Sequence, residues 1–297
     1  MTQPIPSPDN VAREIDRIER KTFAAASSAI FDEHSLEYGR VGERQLRGII
    51  YVPKEESGRR RPAVVYVHGG GWRAGTPMQF SRHAAAMSER DFVGLCIEYR
   101  LCNEASFPAA LQDCKCAVRY LRANAERLNI DCGRIGIVGG SSGAHLGALV
   151  ATTPNRNEWI GNGGHGDQSD TVQAAVFFNG LFDLPAMWPF GKCNQIMRDF
   201  LGKSYDEDTE LYRQASPITH VDKNTPPSLL LHGEDDKVVP VQQSVDFCDR
   251  LSQAGVVAEL IRVPSVGHAW FNRDPYYETC LRQMMDFLTR QLLTAVV

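Results

Sequence analysis

Gly139-Gly140-Ser141-Ser142-Gly143 fits the spacing G-x-S-x-G, with an apolar run from Ile135 to Val138 before it and a helical pattern from Ser142 to Thr152 after it. A serine at the apex of a sharp strand-to-helix turn is held out as a nucleophile for a carbonyl carbon. The turn strains its backbone, and Gly139 and Gly143 lack the side chains that would collide where strand and helix cross. Ser141 occupies the apex, and the adjacent Ser142, first in the helix, is placed to offer its backbone N–H to a developing oxyanion. The plainer alternative is an ordinary serine among packing glycines, and the neighbouring motifs weigh against it.

His68-Gly69-Gly70-Gly71-Trp72 follows the apolar run Ala63 to Val67 and supplies bare glycine amides that a substrate oxygen could approach, the second half of an oxyanion site. It lacks the Lys-Ser/Thr ending of a phosphate loop and the spacing of a dinucleotide fingerprint. The acid of a nucleophile–acid–base set must lie later, and His232-Gly233-Glu234-Asp235-Asp236 closes the run Ser228 to Leu231 with three competing carboxylates. The base must follow the acid, and His268 is the only histidine after position 236. An imidazole, with its ordinary pKa near 6.5, can take a serine proton near neutral pH. His68, His145 and His232 read as structural, and His34, His83, His165 and His220 show no metal-ligand spacing, so neither metal nor cofactor is expected.

The elements that must position these residues alternate along the chain. Strand-like runs at Ala63–Val67, Phe92–Glu98, Arg134–Val138, Val172–Phe178, Ser228–Leu231 and Val257–Val263 are separated by helical patterns at Gln79–Arg90, Pro108–Leu128, Ser142–Thr152 and Pro240–Ala254, with a last helix at Tyr277–Leu293. This alternation predicts an α/β fold with a mostly parallel central sheet flanked by helices. Each motif follows a strand, so all of them should open at the carboxyl edge of the sheet, where such folds bind ligands. A helix is expected over residues 11–29, and two strands, Leu36–Val41 and Leu46–Val52, should form an antiparallel start to the sheet. Leu184 to Pro226 is irregular, and Gly161 to Asp170 is glycine-rich and polar enough to be a mobile loop. At 297 residues the chain, 1–297, is expected to form one domain.

A net charge of −4 leaves no electrostatic footprint for nucleic acid or an anionic membrane. No stretch approaches the roughly 18 consecutive apolar residues of a membrane helix. The polar, charge-rich first residues lack the apolar core of a signal peptide, so the expectation is a soluble, cytoplasmic protein. Eight cysteines without paired C-x-x-C spacing read as reduced, mostly as small hydrophobes.

From about Leu46 onward the chain resembles the α/β-hydrolase esterases of the hormone-sensitive-lipase-like group, and within them it is similar to bacterial acetyl xylan and feruloyl esterases. The resemblance rests on His68 to Trp72, Tyr99-Arg100-Leu101, Phe107 to Asp113, Arg134 to Leu146, Ala215-Ser216-Pro217 and His232 to Pro240. It implies Asp236 as the acid, fifth from His232 in an H-G-x-x-D-x-x-V-P stretch, and Gly70, Gly71 and Ser142 as the oxyanion donors. It further implies that 184–226 is a small cap insertion over the pocket. The lipase-like branch usually carries aspartate before the nucleophile, where this chain has Gly140, and that departure points toward carbohydrate-ester and formamidase-like relatives.

The expected chemistry is hydrolysis of short-chain acyl esters of small molecules through an acyl-enzyme on Ser141. Acetylated or feruloylated carbohydrates are the candidate substrates. Trp72, Trp188 and Trp270 are candidate pocket walls. An arylformamidase-like hydrolase and a non-catalytic ligand-binding relative are the alternatives, and the presence of His268 argues against the second.

Overall fold

The computed structural model describes residues 30–55 and 57–293. The helix expected over 11–29 lies outside the described residues. The first two strands, β1 (Phe31–Val41) and β2 (Arg44–Pro53), pair antiparallel through a tight turn at Val41 to Arg44, as the sequence predicts. Then follow β3 (Arg61–Val67), α1 (Ser81–Ser88), β4 (Val93–Ile97), α2 (Ala109–Ala123), β5 (Ile130–Gly140), α3 (Ser142–Thr152) and β6 (Ala174–Phe178). After an insertion come β7 (Ser228–Gly233), α7 (Gln242–Gln253), β8 (Ala258–Val263) and α8 (Tyr277–Leu293). The insertion holds three short helices, α4 (Leu184–Met187), α5 (Asn194–Leu201) and α6 (Thr209–Gln214).

The eight strands form one sheet in the order β1-β2-β4-β3-β5-β6-β7-β8. β2 meets β4 antiparallel, and every pair from β4 through β8 is parallel. A parallel sheet needs helices on both faces, so its strands are apolar throughout instead of alternating. β3, β4, β6 and β7 are accordingly buried at every position. Alternate residues of β3 point to opposite cores: Ala63, Val65 and Val67 face a core built with α2, α3 and α7, while Val64 and Tyr66 join one built with α1 and α8.

One expected boundary shifts, and one expected loop has specific anchors. The helix expected from Pro108 to Leu128 stops at Ala123, because Asn124 leaves helical geometry and its amide side chain turns back to the Tyr120 carbonyl at 2.9 Å. The Gly161–Asp170 loop, read as mobile, is fastened from beneath. Arg119 donates to the carbonyls of Ile160 (3.0 Å) and Gly164, Arg122 to that of Thr171 (2.9 Å), and buried Asp170 lies 3.2 Å from the buried Lys115 ammonium. Charges removed from water persist only when paired in this way. No helix among the described residues is long and apolar enough to cross a membrane.

Candidate active site

Ser141 stands between β5 and α3 with φ 54° and ψ −120°, a region closed to most residues with a side chain and costing on the order of 1–3 kcal/mol. What over-determines it is backbone fit. The Ser141 amide donates to the Phe178 carbonyl at 2.7 Å, pinning the turn to β6, and the His145 amide donates to the Ser141 carbonyl at 3.1 Å, opening the helix. A Cβ on Gly143 would overlap the carbonyl oxygens of Val67 and His68, so the helix crosses the end of β3 only because residue 143 is glycine. Gly140 also has a local reason: a side chain there would meet the Phe271 ring at 2.7 Å. That ring stacks on Phe178 and Phe80, filling the space a larger residue before the serine would occupy.

The sheet brings together three residues distant in sequence. His268 Nε2 lies 2.9 Å from Ser141 Oγ, and its Nδ1 lies 2.6 Å from Asp236 Oδ2. A carboxylate is acceptor only, so Nδ1–H donates to Asp236 and Nε2 is left to accept the serine proton. His268 sits in the turn after β8, fixed by a bond from the Asp235 amide to the Val266 carbonyl (2.9 Å) and by Trp270 Nε1–H donating to Asn179 Oδ1 (2.8 Å) at the end of β6.

Among the three carboxylates after β7, geometry separates the roles. Glu234 pairs with Arg262 at 2.8 Å, Asp235 is exposed, and Asp236 is buried. Asp236 Oδ1 accepts the amides of Val238 (2.8 Å) and Val239 (2.9 Å), while Oδ2 faces both His268 and, at 3.4 Å, His232 Nε2. Burial works against ionisation, yet the His232 and His268 N–H groups and the Val239 amide hold the carboxyl well below the usual carboxylate range.

His232, read from sequence as merely structural, therefore touches the acid. Its Nε2–H donates to the Val239 carbonyl at 2.9 Å and its Nδ1 takes the Ser244 hydroxyl at 2.7 Å, so the ring is locked beside Asp236. The signal available in the sequence was the four-residue step from His232 to Asp236 across a strand end.

The oxyanion candidates border the same serine. Gly69 approaches so closely that a Cβ there would stand 3.2 Å from Ser141 Cβ. Gly70 (φ 125°) and Gly71 (φ 62°) follow in left-handed backbone that favours glycine. No acceptor among the described residues takes the amides of Gly70, Gly71 or Ser142. The loop is held by Gln79 Oε1 on the Gly69 amide (2.6 Å) and by the buried ring of His68, stacked 4.3 Å from Tyr99. Burial pushes the His68 imidazole down to about 4, so it is a neutral support.

The three tryptophans proposed as pocket walls sit differently. Trp72 is buried, stacked at 4.3 Å on Phe200 of α5 and edge-on to His145. Trp270 is buried and anchors the His268 turn through its bond to Asn179. Trp188 packs within the insertion against Tyr205 and Tyr212. Among the described residues no cluster of three or more His, Cys, Asp or Glu side chains is placed to hold a metal ion. All eight cysteines are free thiols.

Comparison with known proteins agrees with this architecture. The chain is similar to a truncated form of a carbohydrate esterase from gut microbiota, with a TM-score of 0.77 and 29% identity over 90% of this chain and 98% of that one. It is also similar to the propionate-bound esterase Est2 of the planctomycete Thermogutta terrifontis, with a TM-score of 0.75 and 27% identity over 87% of this chain and 94% of that one. Esterase LipQ of Mycobacterium tuberculosis is 32% identical over 245 residues, covering 79% of this chain and 56% of LipQ. The chain thus spans a little over half the length of the curated relatives it matches. The BD-FAE family model matches residues 49–251, well over half of the sequence, and the chain belongs to that family of α/β-hydrolase esterases.

Proposed function

We propose that this chain is a serine carboxylesterase that hydrolyses short acyl esters of small molecules, with acetylated or feruloylated carbohydrates as the substrate class. The observation that carries the reading is the continuous hydrogen-bonded line Ser141–His268–Asp236, at 2.9 and 2.6 Å, beside Gly70 and Gly71 amides that no acceptor among the described residues takes. In this reading Ser141 Oγ attacks the ester carbonyl as its proton passes to His268 Nε2, and Asp236 steadies the imidazolium through Nδ1–H. The carbonyl oxygen, now negative, is met by the amides of Gly70, Gly71 and Ser142. The tetrahedral intermediate collapses, His268 returns the proton to the departing alcohol, and the acyl group remains on Ser141. Water, deprotonated by the same imidazole, then attacks the acyl-serine and releases the acid.

The carbohydrate preference is supported by the likeness to a gut carbohydrate esterase, and the small acyl group by the propionate-bound neighbour. The chain acts as one α/β-hydrolase domain in which 184–226 forms the cap. Ser141→Ala should lower kcat on p-nitrophenyl acetate by about four orders of magnitude or more while leaving the fold intact. Turnover near the wild-type rate by that variant would overturn the assignment. Rates on p-nitrophenyl esters of increasing acyl length, acetylated xylose, methyl ferulate and N-formylkynurenine decide the substrate class, and preference for the last would replace ester with amide hydrolysis.

A further inference from the structure

The ten-residue stretch 192–201 touches both halves of the site. At its start the Lys192 ammonium donates to the Lys237 carbonyl at 3.0 Å, and the Cys193 thiol faces the Val238 carbonyl at 3.6 Å. Both acceptors lie in the loop whose amides hold Asp236. One turn on, Ile196 lies against the oxyanion loop: its Cγ2 is 3.2 Å from where a Cβ on Gly71 would stand. At its end Asp199 pairs with Arg73, while Arg73 also reaches the Gln195 carbonyl (3.3 Å) and Gln195 Nε2 holds the other Asp199 oxygen at 2.7 Å. Phe200, the next residue, stacks on Trp72. Three neighbouring side chains of α5 therefore grip Gly71, Trp72 and Arg73.

The physical need for such a grip follows from the loop. Gly70 and Gly71 are two consecutive joints with positive φ, and glycine gives backbone the most freedom to wander. Donors to an oxyanion act by being aimed in advance, so any drift of these amides is lost transition-state stabilisation. Arg73 carries the charged side chain nearest after those joints, and its partner sits on a helix whose leading residues, Lys192 and Cys193, reach the acid loop. We propose that Arg73 is a positioning residue: through Asp199 it fixes the Gly70 and Gly71 amides, and the 192–201 stretch ties that loop to the one bearing Asp236. The proposal rests on the hydrolase reading above and names what keeps its oxyanion donors aimed.

Arg73 and Asp199 are each about one-third exposed, and such pairs add little to global stability, which separates positioning from folding. The test measures kcat and KM on p-nitrophenyl acetate, inhibition by phenylboronic acid, and melting temperature. Phenylboronic acid accepts the Ser141 oxygen at boron to give a tetrahedral anion, with the serine proton on His268. Arg73→Ala and Asp199→Ala should each lower kcat about tenfold and weaken the boronic acid by a similar factor, with KM within about threefold of wild type and melting little changed. The double variant should be no worse than either single one, and Arg73→Lys should recover part of the loss. If both alanine variants turn over within about twofold of wild type while Ser141→Ala is inactive, the positioning role of Arg73 is wrong and the hydrolase reading stands. If Ser141→Ala itself remains active, the reading beneath the proposal falls and the proposal falls with it.

Discussion

The turn from β5 into α3 and the insertion from 184 to 226 meet around the same loop, yet different forces hold them. The turn is fixed by backbone fit: every residue of α3 is buried, and Gly143 leaves no room for an added carbon beside Val67 and His68. The insertion also buries Met197, Phe200 and Tyr212 in the core, but its backbone is fixed by individual side-chain bonds. Gln243 takes the amides of Phe182 and Asp183 at 2.8 Å each, Ser216 takes the Leu184 amide at 2.9 Å and donates to the Tyr212 carbonyl at 2.7 Å, and His145 Nε2–H reaches the Ala215 carbonyl at 2.7 Å. A region set by steric fit fails all at once, whereas one set by separate bonds yields contact by contact.

Substitutions and pH can break or sharpen that contrast. Gly143→Ala should cost about 3 kcal/mol or more in urea denaturation and abolish turnover, since neither carbonyl can retreat from the new methyl group. A loss below about 1 kcal/mol would show that the turn is not sterically locked.

Acid should act on the buried histidines of the body and on the carboxylates of the insertion in separate windows. Burial pushes His68 and His145, beside the turn, down to about 4, and His83, among the rings on the other sheet face, to about 3. Their folded pKa values lie below the unfolded value of 6.5, so the unfolded chain takes up protons first. Stability should therefore fall as pH drops from about 6.5 toward 4, at roughly 1.4 kcal/mol per histidine per pH unit at most. His83→Phe should make that fall shallower in urea midpoints, and an unchanged slope would contradict it. In the insertion, Asp208 is held low by Lys203 and the Leu211 amide, and Glu207 by the Ser204 amide and hydroxyl. Their folded values lie below the unfolded ones, so what they contribute persists above about pH 4 and is lost only below it. Hydrogen exchange at the Leu211 and Ser204 amides, corrected for intrinsic rates, should report that second window.

Smaller effects belong to the insertion. Ser216→Ala should cost about 1–2 kcal/mol, because the buried Leu184 amide then loses its acceptor. Phe190→Ala, at a residue 58% exposed, should change stability by less than about 0.5 kcal/mol. A large loss at Phe190 would mean the insertion is packed more like the turn.

The same contrast explains what the sequence could reveal. Helix Ser142–Thr152 and its preceding strand were legible because a glycine-serine turn and the apolar run before it are both local. Asp236 could not be separated from Asp235 by residue type alone, since the choice is made by amides at Val238 and Val239, by His232 one turn earlier and by the distant His268. The expected helix Gln79–Arg90 begins instead as a 3₁₀ turn at Pro77–Phe80, with α1 proper from Ser81 to Ser88. Helices α4 and α6 of the insertion escaped notice because each is too brief to show a period and its segment is held by bonds to other stretches, such as Ser216 to Leu184.

The strand order β3-β5-β6-β7-β8 also has a stereochemical consequence. It lays the Gly70–Gly71 amides on one flank of Ser141 and the imidazole of His268 on the other, and right-handed crossovers forbid the mirror arrangement. With Ser141 as nucleophile, only one prochiral face of a carbonyl meets the hydroxyl with its oxygen toward the amides and its leaving group toward the imidazole. The two enantiomers of an ester with an asymmetric carbon beside the carbonyl are therefore attacked on the same-handed face through diastereomeric transition states, and should be consumed at unequal rates.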